Sequence, residues 1–325
     1  MFRMDDPFRM DDPSRDTLCE ICSPIPFKEL SHPTGTKPRV GQIQLGNLVQ
    51  IQARRKCPFC RLISDSVYDG RAPPGMGIAA FERRDIELTW SEARSGFFSD
   101  AFPLGSRIAV VNSSTTASLP RVINEAEIDP SLVRKWLGAC QSQHGGNCAP
   151  HPIAPADELA NFRLIDVQQE CIVLASIRSR YLALSYVWGQ VQTLRLLRKN
   201  KDRLMKPGGL RDLWAQIPST IRDAMLFTSS MGEKYLWVDS LCLIQDDKDD
   251  IAAGVSRMDS VYEQSFFTIV AATGKDASVG LPGAGETPRR AQQLIREVVP
   301  GVQMIVLHEM EALLKQTRYN DRAWT

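Results

Sequence analysis

Two pairs of cysteines in the N-terminal half have the spacing of a metal site. Cys19 and Cys22 form one CxxC pair, and Cys57 and Cys60 form a second. Each pair can present two thiolates to one tetrahedral ion, for which zinc is the natural candidate. The chain between the pairs is longer than in a usual zinc ribbon, and cysteine is also an ordinary buried hydrophobic residue. We predict that the four sulfurs converge, either on structural zinc or as packed free thiols.

A third group of possible metal ligands comes later in the chain. Cys140, His144 and Cys148 are spaced at i, i+4 and i+8, which would align them on one face of a helix. Two glycines follow His144 directly, and they should end such a helix before Cys148. His151 could complete the set of ligands. The pattern nevertheless favours two packed cysteines and a surface histidine over a metal site.

Polar and aromatic residues follow two apolar runs in the C-terminal half. Ligands of an open α/β sheet bind outside the carboxyl ends of its strands, so these residues are candidates for a binding site. They are Ser185, Tyr186, Trp188 and Gly189 after the first run, and Asp239, Ser240, Gln245 and Asp246 after the second. The alternative is structural, because tryptophans such as Trp188 are common in cores and Asp239 can cap a turn or bond to loop amides.

The elements that would position these residues alternate in the order of a βαβ fold. Three nearly continuous apolar runs predict strands buried on both faces, and amphipathic runs predict helices. The strands are Tyr181–Val187, Tyr235–Val238 and Phe266–Ala272, preceded by an antiparallel hairpin over 162–175, and the helices cover about 128–137, 218–232 and 250–264. We predict an α/β domain with a mostly parallel sheet flanked by helices. Parallel pairing of the first two strands would place Asp239 beside the Trp188 loop.

Length and composition fit a soluble chain of two domains. The 325 residues are 43% hydrophobic and 24% charged, and the net charge of +1 gives no general attraction for nucleic acid or anionic membrane. No apolar stretch has the length of a membrane span, and the opening residues do not have the apolar core of a secretion signal. We therefore predict a cytoplasmic protein whose eight cysteines do not form a disulfide framework.

The chain divides into three predicted regions. Residues 1–18 are predicted to be a disordered tail, because the hexapeptide Phe2–Pro7 and its repeat Phe8–Pro13 are rich in charge and proline. Residues 19–155 are predicted to form an accessory region that carries both CxxC pairs. Residues 156–325 are predicted to form the α/β domain.

The α/β domain resembles the heterokaryon incompatibility (HET) domain of filamentous fungi over about residues 160–325. The resemblance is carried by YLALSYVWG at 181–189, by IPSTIRDA at 217–224 with YLWVDSLCLIQDD at 235–247, and by 258–272 with GLPG at 280–283 and DRAWT at 321–325. In the family the last block continues further, so we expect the chain to be truncated at its C-terminus. Arg322 is expected to pair with Asp239 or Asp246, and Trp324 to pack on the domain.

The resemblance implies a role in non-self recognition and programmed cell death. The partners would be other incompatibility or NLR-type signalling proteins, or a second copy of the chain, and no nucleic acid is expected. Remote similarity of the HET domain to TIR modules implies a flavodoxin-like, TIR-like sheet and, as an alternative function, an NAD glycohydrolase. The other alternative is a module that signals by self-association without catalysis.

Cleavage of NAD would need a carboxylate near the ribose and an aromatic surface for a ring. Asp239 or Glu233 would supply the carboxylate. Trp188 or Tyr186 would supply the stacking surface, and Gly189 a position of close approach. The sequence contains no GxGxxG after a strand, no GxxxxGK[ST], no GxSxG and no HExxH, so dehydrogenase, NTPase, serine hydrolase and zinc protease functions are disfavoured.

Overall fold

The computed structural model describes residues 16–31, 40–67, 82–102, 105–111, 120–148, 161–289, 293–315 and 317–320. The strands are β1 (Ile43–Asn47), β2 (Asp85–Ser91), β3 (Gly96–Phe98), β4 (Arg107–Val110), β5 (Arg163–Asp166), β6 (Cys171–Leu174), β7 (Leu182–Ser185), β8 (Tyr235–Trp237), β9 (Phe267–Val270), β10 (Ile295–Val299) and β11 (Val302–Leu307). The α-helices are α1 (Phe27–Ser31), α2 (Leu48–Ala53), α3 (Pro58–Val67), α4 (Pro130–Gln143), α5 (Lys201–Leu204), α6 (Ser219–Ser230), α7 (Asp239–Cys242), α8 (Lys248–Val255), α9 (Met258–Gln264) and α10 (Met310–Leu314).

The chain forms two compact units. The first unit lies within residues 1–123 and 292–313, and the second lies within 124–291 and 314–325. Each unit has its own cluster of buried apolar side chains. Among the described residues, no helix combines the length and the apolarity needed to cross a membrane. Most of the predicted tail, residues 1–15, lies outside the described residues.

The first unit is built on a six-stranded antiparallel sheet in the order β1-β2-β3-β4-β11-β10. Strand β4 pairs with β11 from Val110↔Met304 to Arg107↔Leu307, so residues late in the chain complete a sheet that begins near its start. The sequence predicts only local structure in the N-terminal region, because no local pattern reports a pairing between residues so far apart.

Helices α2 and α3 cover the core of this unit and fix the second cysteine pair. Asn47 begins α2 with a capping box, in which its side chain accepts the backbone N–H of Gln50 and the Gln50 side chain accepts the backbone N–H of Asn47. A short turn then leads to Cys57, and α3 begins at the next residue. Phe59 and Leu62 of α3 are fully buried in the core. The start of α3 is therefore held rigidly, and Cys57 and Cys60 with it.

The second unit contains a five-stranded mixed sheet in the order β6-β5-β8-β7-β9. Strand β7 pairs in parallel with β8 and with β9, whereas β5 pairs antiparallel with β6 and with β8. The predicted mostly parallel, flavodoxin/TIR-like sheet is therefore wrong, since one unit is wholly antiparallel and the other is mixed. The β5–β6 hairpin is the reason: it occupies the edge of β8 where such a fold would continue with another parallel strand.

The predicted hairpin and strands are otherwise found where the sequence places them. The hairpin turns at Glu170, which has a positive φ of 51°, after Asp166 has accepted the amides of Gln168 and Gln169. Helix α6 follows Pro218 and stops before Gly232, whose φ of 77° suits a helix C-terminus. The helix predicted over 250–264 is two helices, α8 and α9, because the backbone at Arg257 leaves the helical region.

The segment between β7 and α6 is mostly irregular. Its basic run, 194–206, is predicted to present one face of a helix with Leu194, Leu197 and Leu204 inward, but only α5 is α-helical there. Leu194, Leu196 and Leu204 are the buried leucines of this run. The backbone of Leu196 is fixed by two hydrogen bonds, because its amide donates to the Ser240 carbonyl at 3.0 Å and its carbonyl accepts the Gln245 amide at 2.8 Å.

Candidate functional site

The carboxyl ends of β7 and β8 carry the main candidate site. The two strands are parallel neighbours, with Leu182 opposite Leu236 and Ala183 opposite Trp237, so the residues that follow them meet at one edge of the sheet. There the indole Nε1 of Trp188 donates a hydrogen bond of 2.7 Å to Oδ2 of Asp239. The prediction that Asp239 lies beside the Trp188 loop is confirmed.

The groups around Asp239 hold it in one orientation. Its Oδ1 accepts the amide of Ser240 at 2.7 Å, and its backbone carbonyl accepts Nε2 of Gln245 at 3.0 Å. The Ser240 hydroxyl also lies 2.9 Å from the hydroxyl of Tyr186. Burial raises the pKa of Tyr186 far above its ordinary value, with the nearby Asp239 charge acting in the same direction. Tyr186 is therefore a neutral hydrogen-bonding group at physiological pH.

Gly189 allows the loop that contains Asp276 and Ala277 to pack against the Trp188 loop. Its φ is 67°, and a Cβ at this position would lie 2.3 Å from Cβ of Asp276. The amide of Ala277 bonds to the carbonyl of Trp188 at 3.3 Å. The predicted position of close approach is thus occupied by the chain's own Asp276.

A pocket of about 560 Å³ lies beside this loop pair. Its lining includes Arg195, Arg222, Gln216 and Ser278. The Arg195 guanidinium lies 5.2 Å from the centroid of the Trp188 ring, which joins the pocket to the Trp188–Asp239 contact. The other arginine forms an ion pair with Glu286 at 3.0 Å. The pocket therefore presents cationic and polar groups beside an aromatic ring.

The remaining predicted site residues are not all brought together. Glu233 lies before β8, at the strand end opposite Asp239, and forms a bidentate ion pair with Arg180. Asp246 is exposed and accepts the Arg198 amide at 2.8 Å. Ser185 is buried as the last residue of β7. Arg322 lies outside the described residues, as does Trp324.

Asp223 lies in the helix that the sequence predicts over 218–232, but its role in the structure was not predicted. It is fully buried in α6, and its carboxylate accepts the amides of Leu281, Glu286 and Thr287. Thr220, one turn earlier, accepts the amide of Gly280 at 3.1 Å. An aspartate on the apolar face of a helix was the available signal, because a buried carboxylate requires several donors.

The four cysteines of the two CxxC pairs converge in the first unit, as predicted. Their sulfur atoms all lie within 4.8 Å of one another, and Cys60 Sγ is 3.7 Å from both Cys19 and Cys22 Sγ. A tetrahedron whose corners lie about 2.3 Å from its centre, the usual zinc–thiolate distance, has an edge of about 3.8 Å. Arg54 also approaches Cys60 Sγ at 3.9 Å. The cluster therefore has the donor set and the spacing for a tetrahedral thiophilic metal ion.

The proximity of the sulfurs shifts the pKa values of Cys22, Cys57 and Cys60 strongly. Hydrogen bonds from Cys22 and Cys60 lower the pKa of Cys57 to about 2. The bond to Cys57 is also the largest cause that raises the pKa of Cys22, followed by the bond to Cys60 and by burial. One thiolate held among neighbouring thiols is a centre of negative charge that a cation would neutralise.

Comparison with known families identifies the second half of the chain. Residues 181–325 match the family described as Heterokaryon incompatibility protein (HET). The matched stretch begins at the residue before β7 and includes the Trp188 loop, Asp239 and Asp223. Over these residues the chain is similar to the HET family. Neither a curated protein nor a solved structure matches it.

Proposed function

We propose that this protein acts in fungal non-self recognition and programmed cell death, and that it does so in the cytoplasm. The HET match over 181–325 supports the proposal. The observation that carries it is the Trp188–Asp239 hydrogen bond, because it joins the first HET block to the second at the edge of the sheet where α/β proteins bind ligands. The partners would be other incompatibility or NLR-type signalling proteins, or a second copy of the chain.

The hydrogen bonding of Asp239 favours a role in recognition over one in catalysis. Each carboxylate oxygen already accepts a hydrogen bond from the chain, one from Trp188 and one from Ser240. A carboxylate held in this way keeps a loop in shape. We infer that the Trp188 loop is a preformed contact surface and that the signal passes by association.

The second candidate function is NAD cleavage, and the pocket beside Trp188 favours it. Arg195 and Arg222 line the pocket and provide cations for phosphate groups, and the Trp188 ring lies 5.2 Å from the Arg195 guanidinium at its edge. Because the sheet is mixed, a TIR-like fold no longer supports this candidate. Incubation of the purified chain with NAD, with nicotinamide release followed by chromatography, separates the two candidates. If the unmodified chain releases nicotinamide from NAD and the W188F variant does not, the chain is an NAD glycohydrolase. If the unmodified chain releases none, the recognition function is favoured.

The death-signalling function is tested by induced expression in a filamentous fungus. We expect induction of the chain to increase the fraction of cells that take up a membrane-impermeant dye, relative to an empty vector. Full viability at a confirmed level of folded protein would refute the proposed function.

We also propose that the cluster of Cys19, Cys22, Cys57 and Cys60 holds structural zinc. Bound zinc would supply a cross-link between the N-terminal turn and the start of α3, with all four positions filled by protein. Elemental analysis of the purified chain tests this. The C19S/C22S variant should lose one equivalent of zinc, whereas C171S, which removes a buried cysteine outside the cluster, should lose none. An equal zinc content in both variants would exclude the site.

A further inference from the structure

A second group of metal-ligand atoms lies at the end of α4, in the second unit. The ligand atoms of Cys140, His144 and Cys148 all lie within 4.8 Å of one another. Nδ1 of His144 is 3.3 Å from Sγ of Cys148. For a zinc ion at usual distances from one imidazole nitrogen and one thiolate, a tetrahedral angle gives a separation of about 3.6 Å. The three side chains are thus spaced as ligands of a single ion.

The backbone explains how these residues meet despite the glycines between them. Helix α4 ends at Gln143, and the amide of His144 closes its last turn on the carbonyl of Cys140. Gly145 then takes a φ of 56°, and the 3₁₀ turn Gly145–Cys148 folds the chain back over the helix end. The sequence favoured packed cysteines and a surface histidine here because the glycines should separate the ligands. Instead, the glycine turn returns Cys148 to the other two.

The position of this group suits a cation. Cys140 and His144 stand one helical turn apart, the i, i+4 spacing with which helices present two ligands to zinc. The C-terminal end of a fourteen-residue helix carries partial negative charge from its unpaired carbonyls, which favours a positive ion. The helix is anchored at its beginning and middle, where Ile128 N bonds to Gly283 O at 2.8 Å and Arg134 Nη1 bonds to Ser230 O at 3.0 Å.

The burial of the three residues argues against packed cysteines. Cys148 and His144 are exposed, and Cys140 is only half-buried. None of the fourteen residues of α4, all of which the structure describes, is buried. A core therefore does not explain why two thiols and an imidazole come together at the surface.

We propose that Cys140, His144 and Cys148 bind a second thiophilic divalent cation, with zinc as the principal candidate. Two thiolates and one imidazole are a donor set that zinc prefers. Three protein ligands leave one tetrahedral position open to water or to a further ligand. This ion would therefore exchange faster than one enclosed by the four buried or half-buried cysteines of the first unit.

The experiment compares zinc content across matched variants of the full chain, purified with a metal-free reductant. The C140S/C148S variant should contain one equivalent less than the unmodified chain. Q143A, an exposed change at the same helix end, should leave the content unchanged. This difference of one equivalent is expected whether or not the four-cysteine cluster binds metal, so the two sites are tested independently.

A cobalt titration gives a second measurement that does not depend on zinc surviving purification. H144A retains both thiolates, and it should weaken cobalt binding to this site about tenfold or more, seen as loss of the corresponding thiolate-to-cobalt absorption. Because α4 is not buried, circular dichroism of the variants should match that of the unmodified chain. The proposal would be overturned if the unmodified chain and C140S/C148S had equal metal content. It would also be overturned if Cys140 and Cys148 formed a disulfide and, once reduced, bound no metal.

Discussion

Single side chains fix the loops of the HET domain. Asp239 joins the loops after β7 and β8, and Asp223 joins α6 to the loop over 280–287. Both carboxylates accept hydrogen bonds from the chain, and the bonds to Asp223 come from three backbone amides. Because the buried Asp223 has no access to water, its stabilising effect depends entirely on those donors.

Replacement of Asp223 should show this dependence. In D223N, one acceptor oxygen becomes an NH₂ group that faces backbone N–H donors, so we expect the free energy of unfolding to fall by about 1.5 to 3 kcal/mol. Urea denaturation followed by circular dichroism measures the change. The control is D212N, at a largely exposed aspartate, where a change within about 0.5 kcal/mol is expected. Equal, small effects of the two variants would show that Asp223 does not hold the 280–287 loop.

Secondary-structure elements show how far the sequence patterns reach. Apolar runs located β7, β8 and β9, and the parallel pairing of β7 with β8 followed from their burial on both faces. Periodicity does not report which strand covers an open edge, so the antiparallel pairing of β5 with β8 was not predictable. The pairing of β4 with β11 was equally unpredictable, since it joins residues that are far apart in the sequence.

In the candidate sites too, contacts set by neighbouring strands could be predicted, whereas contacts set by loop conformation could not. The Trp188–Asp239 contact could be anticipated because both residues lie just beyond paired strands. Glu233 precedes β8 and Asp239 follows it, so the sequence order alone places them at opposite ends of the strand. Glu233 was a candidate only because it is a carboxylate. The return of Cys148 to Cys140 depended on the positive φ of one glycine, which sequence spacing does not specify.

The close approach of two loops at Gly189 leads to a prediction about that element. G189A would place a methyl group 2.3 Å from Asp276 Cβ and would also strain a backbone with positive φ. G232A is the matched control, because Gly232 has a similar φ of 77° but no atom within 4 Å of an added Cβ. We expect G232A to cost about 1 kcal/mol in unfolding free energy, from backbone strain alone. G189A should cost about 1 to 3 kcal/mol more, and equal costs would show that the loops separate freely.

The residues that the structure describes form two cores, and the four-cysteine cluster belongs to the core of the first unit. The N-terminal turn holds Cys19 and Cys22, whereas Cys57 directly precedes α3 and Cys60 lies in its first turn. A metal ion bound there would therefore stabilise the first unit through a link between segments distant in sequence.

Withdrawal of the metal should consequently affect the two units differently. We expect a strong chelator to increase amide hydrogen exchange in α3, while exchange in β7 of the second unit stays slow. Mass spectrometry of peptides from both units measures the effect. The C171S variant should respond as the unmodified chain does, and C19S/C22S should exchange rapidly before any chelator is added. A chelator response confined to the second unit would rule out a structural ion in the first.

We propose that the Trp188 loop is the contact surface through which this protein signals cell death. The most direct test of this proposal is the fraction of dye-permeable fungal cells after induction of W188F and W214F at equal levels of folded protein. Both variants remove an indole N–H that donates to a carboxylate, from Trp188 to Asp239 and from Trp214 to Glu286, but only W188F alters the loop. We expect W214F to kill cells as the unmodified chain does and W188F to leave cells viable. Equal killing by W188F would contradict the proposal.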